Sequence, residues 1–254
     1  MASIQQSFKN QKEYLKGKTP KEKLQFFWEF YKWHALIWTL GIICLFFFVY
    51  NKLTAPVYTL YGMMLNTNSE TSDATTEDLA NEYTEVFEVD TSKGTVHLSN
   101  EFSYIPGDKD NAENNYKASQ EILAQSDEDN LDFVTGPMTS MQDLAYNGIF
   151  MDLREFFNPE QIKQYQDYFL YVDSSVIAEL ADAYENDEDA SSIEIPDCTN
   201  PDAMKEPVPV MINITQCEKL AKIYNAEDGL LAFGVITNAP HQTRTLNFLK
   251  FIME

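Results

Sequence analysis

The side chains able to do chemistry are few in this chain of 254 residues, and they lie far apart. Histidine occurs only as His34, His97 and His241, and cysteine only as Cys44, Cys198 and Cys217. None of these has a metal-ligand companion at recognisable spacing, so no metal is expected. The sequence carries no nucleophile elbow, no HExxH and no phosphate-binding glycine loop. "SDEDN" (126–130) and "ENDEDA" (185–190) lack the Asp-x-Asp-x-Asp-Gly run and closing Glu of a calcium loop. In so acidic a chain, a pair of carboxylates does not by itself mark acid–base machinery. These residues point away from an enzyme and away from any cofactor.

One stretch invites a binding reading: "DFVTGPMTSMQDLAYNGIFMDL", residues 132–153. A short apolar run ends at Thr135-Gly136-Pro137. Thr139-Ser-Met-Gln142 then resembles a capping box, and a helix with Met141, Leu144 and Ala145 on its buried face stops at Gly148. Backbone N–H groups at such a helix start can hold an anionic or carbonyl group, and a glycine lets a ligand come close. The same residues also suit a tight corner that only turns the chain into its helix. Both readings put Thr135, Met138 and Thr139 on one edge.

The elements that must position this turn alternate. "PVYTLYGMMLN" (56–66), "GTVHLSNEF" (94–102), "LDFVT" (131–135), "PVPVMINI" (207–214) and "LLAFGVITN" (230–238) read as strands. Helices are expected after Thr76, with Leu79, Tyr83, Val86 and Phe87 inward; near 111–125, with Tyr116, Ile122 and Leu123 inward; from "NPEQ" (158–161); over "TQCEKLAKIY"; and over the closing "APHQTRTLNFLKFIM". Residues 172–206 break the rhythm and read as a strand pair with an acidic loop. Alternation of this kind predicts an α/β domain with a mostly parallel, mixed sheet flanked by helices. Ligands of open α/β sheets bind at the carboxyl ends of the strands. That edge would collect Asn66, Thr135, Gly136, Met138, Thr139, Thr237 and Asn238 as candidate ligand contacts; Asn238 equally suits a helix cap.

Charge divides the chain. Residues 1–33 hold seven Lys against three Glu, a net of +4, whereas the rest carries −26 of the total −22. Polyanion repulsion excludes nucleic acid as a partner of the acidic part. Between the two lies "WHALIWTLGIICLFFFVYN", residues 33–51, which contains no Asp, Glu, Lys or Arg. Nineteen residues rise about 28 Å as a helix, close to the roughly 30 Å hydrocarbon core of a bilayer. Trp28, Tyr31, Trp33 and Trp38 stand toward one end and Tyr50 at the other, as interfacial aromatics do. Thr19, Pro20 and Glu22 form the start signal of this helix. Ile4, Phe8 and Leu15 approximate one face of a weak interfacial helix, or else belong to a disordered tail.

The expected organisation is a basic juxtamembrane segment (1–32), a transmembrane helix (33–52) and an α/β domain (53–254). The preceding lysines place the N-terminus in the cytoplasm and the domain outside. There Cys198 and Cys217 could form a disulfide, unless an intervening strand keeps them apart.

The order of a strand, a "TGP" turn and "MQDLAYNGIFMDLREFF", then a late strand "FGVITN" and the closing helix "QTRTLNFLKFIM", resembles extracellular solute-binding proteins of bacterial ABC importers. "YKWH" before the apolar run looks like membrane-tethered proteins of Gram-positive bacteria. The resemblance covers roughly residues 56–254 and implies one lobe of that fold, because the stretch near 170–210 is too short for a second. It implies a membrane-anchored module recognising a peptide, glycan or envelope component. The alternative is a non-catalytic scaffold contacting other membrane proteins.

Overall fold

The structure is a computed structural model and describes residues 16–54, 56–68, 72–186, 189–225 and 229–254. Ile4, Phe8 and Leu15 fall outside the described residues. The chain divides into two compact units, Met1–Pro56 and Val57–Glu254.

The described part of the first unit is dominated by one helix, α1 (Pro20–Thr54, 35 residues). Its start is the one the sequence specifies. Glu22 accepts from the Thr19 backbone N–H (2.8 Å) and hydroxyl (2.8 Å), and the Glu22 N–H reaches back to Thr19 Oγ1 (3.4 Å). These bonds, to the backbone N–H and then the hydroxyl, hold the Glu22 carboxyl below its usual pKa. Within α1, Tyr31–Tyr50 is long and apolar enough to cross a membrane. Large apolar side chains stand exposed all round it, Leu36, Ile37, Phe46 and Phe48 among them. A helix with no polar face is what a lipid environment selects.

The second unit is an α/β domain. In chain order its elements are β1 (Tyr58–Met64), α2 (Ser72–Val86), β2 (Thr95–Ser99), α3 (Ala112–Asp127), β3 (Phe133–Pro137), α4 (Met138–Tyr146), α5 (Leu153–Phe156), α6 (Pro159–Tyr165), β4 (Phe169–Asp173), α7 (Ser174–Glu185), β5 (Pro207–Asn213), β6 (Leu231–Val235) and α8 (Gln242–Met253). The strands form one mixed sheet in the order β2-β1-β3-β6-β5-β4. β1 runs parallel to β2 and β3, while the β3–β6, β6–β5 and β5–β4 pairs are antiparallel.

Successive strand residues face opposite sides of the sheet, so the register assigns the two cores. Gly62 pairs with Phe133 and Val134 with Gly234. On the first face Phe133 stacks on Phe233 (4.6 Å between centroids) and on Phe248 of α8 (4.8 Å). Tyr83 of α2 meets Phe248 edge-on at 5.4 Å, and its hydroxyl donates to the Arg244 carbonyl at 3.0 Å. On the second face Phe150 lies over Gly234. Right-handed crossovers carry α2 and α3 over opposite faces, because the second connection runs back past β1.

Several expectations change. Helix α2 already begins at Ser72, so Thr76 lies inside it and does not cap it. Residues 174–185 form helix α7 instead of a strand. Asp173 caps it by accepting from the Ser175 N–H at 3.0 Å, and Val176 and Ala183 are buried. "TQCEKLAKIY" is not a helix but a 3-10 turn, Glu218–Leu220, that buries Leu220, Ile223 and Tyr224. The inward face of α3 is Ala118 and Ile122, which leaves Tyr116 and Leu123 exposed; Val86 of α2 is exposed too.

Candidate functional site

The carboxyl ends of β1 and β3 meet where the sequence places a binding edge. The Leu65 N–H donates to the Thr135 carbonyl at 2.8 Å, so the two strand ends are laced together. Asn66 follows in the left-handed conformation (φ 55°), which asparagine tolerates better than most residues. Its Nδ2 donates to the Tyr104 carbonyl and to Ser140 Oγ, both at 2.8 Å, and its Oδ1 accepts from the Tyr104 N–H at 2.7 Å. Ser140 Oγ donates in turn to the Tyr104 carbonyl at 2.5 Å. The Tyr104 hydroxyl donates to Asp143 Oδ2 at 2.5 Å. Burial, and then the Asp143 carboxylate, raise the Tyr104 pKa well above its ordinary value. Further along, the Asn68 N–H donates to the Ile223 carbonyl at 2.8 Å, and Asn68 Nδ2 donates to Asn225 Oδ1 at 3.0 Å.

The turn itself is committed to packing. Thr135 is fully buried and its hydroxyl pairs with the Tyr224 hydroxyl at 2.7 Å. A Cβ on Gly136 would lie 3.1 Å from Leu65 Cβ and 3.4 Å from the Leu65 carbonyl oxygen. Neighbouring chain therefore fills the space that a ligand would need above Gly136. Helix α4 starts at Met138 with Pro137 as N-cap and no side-chain cap. The expected Thr139–Gln142 box is absent: the helix begins at Met138, so Thr139 lies inside its first turn and is not the N-cap, and Gln142 Nε2 donates to the Pro196 carbonyl at 3.1 Å. Met138 is half-buried against the core, and Thr139 is exposed.

Thr237 and Asn238 do not join this edge. β6 is antiparallel to β3, so its carboxyl end lies at the opposite edge of the sheet. There the Thr237 N–H and hydroxyl both donate to the Ile149 carbonyl, at 3.1 and 3.0 Å. Asp132, fully buried at that same edge, accepts from the Tyr61 N–H (2.9 Å), the His241 N–H (2.8 Å) and His241 Nδ1 (3.2 Å). This carboxylate pins the start of α8 to β1 and β3. Burial raises its pKa, against hydrogen bonds and charge from Tyr61 and His241 that lower it. His97 stacks on Tyr58 (5.4 Å) and packs against Tyr61 (5.1 Å).

The proposed disulfide is also corrected: Cys198 and Cys217 are free thiols, each buried. The Cys198 carbonyl accepts from Tyr171 N–H on the edge strand β4, whereas Cys217 belongs to the core beyond β5. Burial pushes both thiols up to about 11, which keeps them protonated and unreactive at neutral pH. Among the described residues no group of three or more His, Cys, Asp or Glu could hold a metal ion.

What the edge does offer is one pocket of about 260 Å³ beside Tyr224, lined by Thr215, Cys217, Ala221 and Leu231. Thr215 and Leu231 stand where β5 ends and β6 begins, next to the end of β3. Pockets for drug-sized ligands generally run from about 300 to 1,000 Å³, so this one is small, with room for a side chain or a ligand of similar size. Sequence reasoning missed it because it depends on the antiparallel pairing of β5 with β6.

Asn66 supplies the sharpest test of the lacing. Asn66→Ala removes three hydrogen bonds and leaves a residue ill-suited to positive φ, so a loss of about 2 kcal/mol is expected. Chemical denaturation measures it, and an unchanged midpoint would mean that the edge is not held by this residue. Comparison with protein-family models, with curated proteins and with solved structures returns no match to this chain, so its assignment rests on the fold and the edge alone.

Proposed function

We propose that this chain is a membrane-anchored binding module, built on the plan of one lobe of an extracellular solute-binding protein, that engages a peptide segment of a partner. It acts by binding and not by catalysis. In this reading α1 spans the bilayer, and the lysines before it hold the N-terminus in the cytoplasm with the acidic domain outside. The observation that carries the reading is the self-satisfied edge. Asn66, Thr135, Ser140 and Tyr104 spend their polar groups on one another and on Asp143 and Tyr224. A free sugar or amino acid would have to break these bonds to be recognised. A partner's side chain entering the pocket beside Tyr224 would not.

The test is a thermal-shift panel on the full chain in nanodiscs, comparing free amino acids and sugars with short peptides. Stabilisation by a peptide, lost in Ala221→Trp, which fills the pocket, is expected. A sugar or amino acid that stabilises the protein and is indifferent to Ala221→Trp would overturn the reading. A second reading, a scaffold for another membrane protein, draws on α3, where Tyr116 (66 % exposed) and Leu123 (52 %) stand on one face two turns apart.

A further inference from the structure

We infer that α1 carries a docking groove for an anionic phospholipid, with its phosphate at Lys32 and one acyl chain laid along the helix. This rests on the membrane-spanning reading of α1 but not on its orientation. A shallow, open groove of about 590 Å³ lies along one exposed side of the helix. Trp28, Lys32 and Trp33 form its mouth, and Ile43 lines its far end. Between them Ala35 and Thr39 are one turn apart, and their small side chains leave a channel beside the bulkier row of Leu36 and Leu40. The apolar span begins at Tyr31, which puts Lys32 at headgroup level. From Lys32 to Ile43 the helix rises about 16 Å, close to the roughly 15 Å hydrocarbon depth of one leaflet.

Charge selects the occupant. No ion pair to Lys32 is found among the described residues. Ala35 and Thr39 are also the spacing through which transmembrane helices pack closely. A second copy seated symmetrically on this face would bring two Lys32 ammonium groups together at the membrane boundary, and two pairs of bulky tryptophans would meet over the small residues. A phosphate-bearing lipid neutralises the lysine, accepts hydrogen bonds from the ammonium and the indole N–H groups, and fills the channel with a flexible chain. A zwitterionic lipid fills the channel equally but brings its own cation to the lysine.

The chain reports on this groove directly, because its three tryptophans all lie in α1 and two of them line the mouth. The full chain carrying Trp38→Phe is placed in phosphatidylcholine vesicles containing a small fraction of brominated phosphatidylglycerol or of brominated phosphatidylcholine, and tryptophan quenching is compared. Attraction of one lysine for anionic lipid corresponds to about fivefold local enrichment. Brominated phosphatidylglycerol is therefore expected to quench severalfold more at equal mole fraction. Lys32→Gln should abolish the difference, and Lys21→Gln should leave most of it. Equal quenching by the two lipids, or a difference that survives Lys32→Gln, overturns the lipid site while leaving the membrane span intact. Absence of quenching by either lipid overturns the span and the lipid site together.

Discussion

Gly62→Ala is expected to destabilise the domain by about 3 kcal/mol, at the upper end of what overpacking costs. For a domain of this size that corresponds to a fall in Tm of roughly 6–12 °C. A Cβ built on Gly62 would clash with the Phe133 ring at Cζ and Cε2. The Phe133 ring has nowhere to go, because Phe233 stacks against it at 4.6 Å and Phe248 at 4.8 Å. Relief of the clash must therefore move β1, β3 or α8. Thermal melts of Gly62→Ala, Phe133→Leu and the double variant decide the cause. If ring crowding is responsible, the double variant is more stable than the sum of the single losses by about 1 kcal/mol or more. Strict additivity would show that the glycine matters for some other reason.

A loss of about 3 kcal/mol at neutral pH is expected for Asp173→Asn. Asp173 is 2 % exposed and sits where β4 passes into α7. Its Oδ1 accepts from the Ser175 N–H (3.0 Å) and hydroxyl (2.7 Å) and the Glu206 N–H (3.2 Å), and its Oδ2 accepts from the Lys205 N–H (2.7 Å). One carboxylate thus ties the cap of α7 to the turn that feeds β5. An amide keeps one acceptor and turns an NH2 group toward a backbone N–H, and each buried donor left unmet costs about 1–3 kcal/mol. Burial pushes the Asp173 pKa up, but the hydrogen bonds from Ser175, Lys205 and Glu206 outweigh it and hold the carboxyl below its ordinary value. Its contribution is therefore present above the unfolded-state pKa, near 3.9, and is lost as pH falls through the lower folded value. Denaturation midpoints should show the gap between wild type and Asp173→Asn wide at pH 7 and narrowing below about pH 4. A gap of constant width across that range would rule out the carboxylate as its source.

Local signals in this sequence translate directly into structure. Thr19, Pro20 and Glu22 start α1 as their order specifies, and Asn158 and Gln161 form a reciprocal capping box at α6. Gly148 ends α4 at φ 73°. The apolar runs that become β1, β3, β5 and β6 are visible because they are short, apolar and bounded by turn residues. What lies beyond local reach is whatever tertiary pairing decides. Nothing within "LLAFGVITN" reveals that it runs against β3, and this one fact removes Thr237 and Asn238 from the Asn66–Thr135 edge. α7 is obscured by β-branched Val176 and Ile177 at its start and by acidic residues on either side, although Asp173 was in place to cap it. Gly136 reads as a ligand-approach glycine until Leu65 is seen above it. In each case the residue type limits the options and a distant segment chooses among them.

In the proposed function α1 tethers the α/β domain to the outer side of a membrane. Labelling of intact cells with a membrane-impermeant maleimide tests it most directly. Cys198 and Cys217 are buried and Cys44 lies within the apolar stretch Tyr31–Tyr50, so an introduced cysteine supplies the signal. Ser92→Cys, on an exposed turn of the domain, is expected to label without lysis, whereas Lys16→Cys, exposed before α1, should label only after lysis. Labelling of Lys16→Cys on intact cells with protection of Ser92→Cys would contradict the claim.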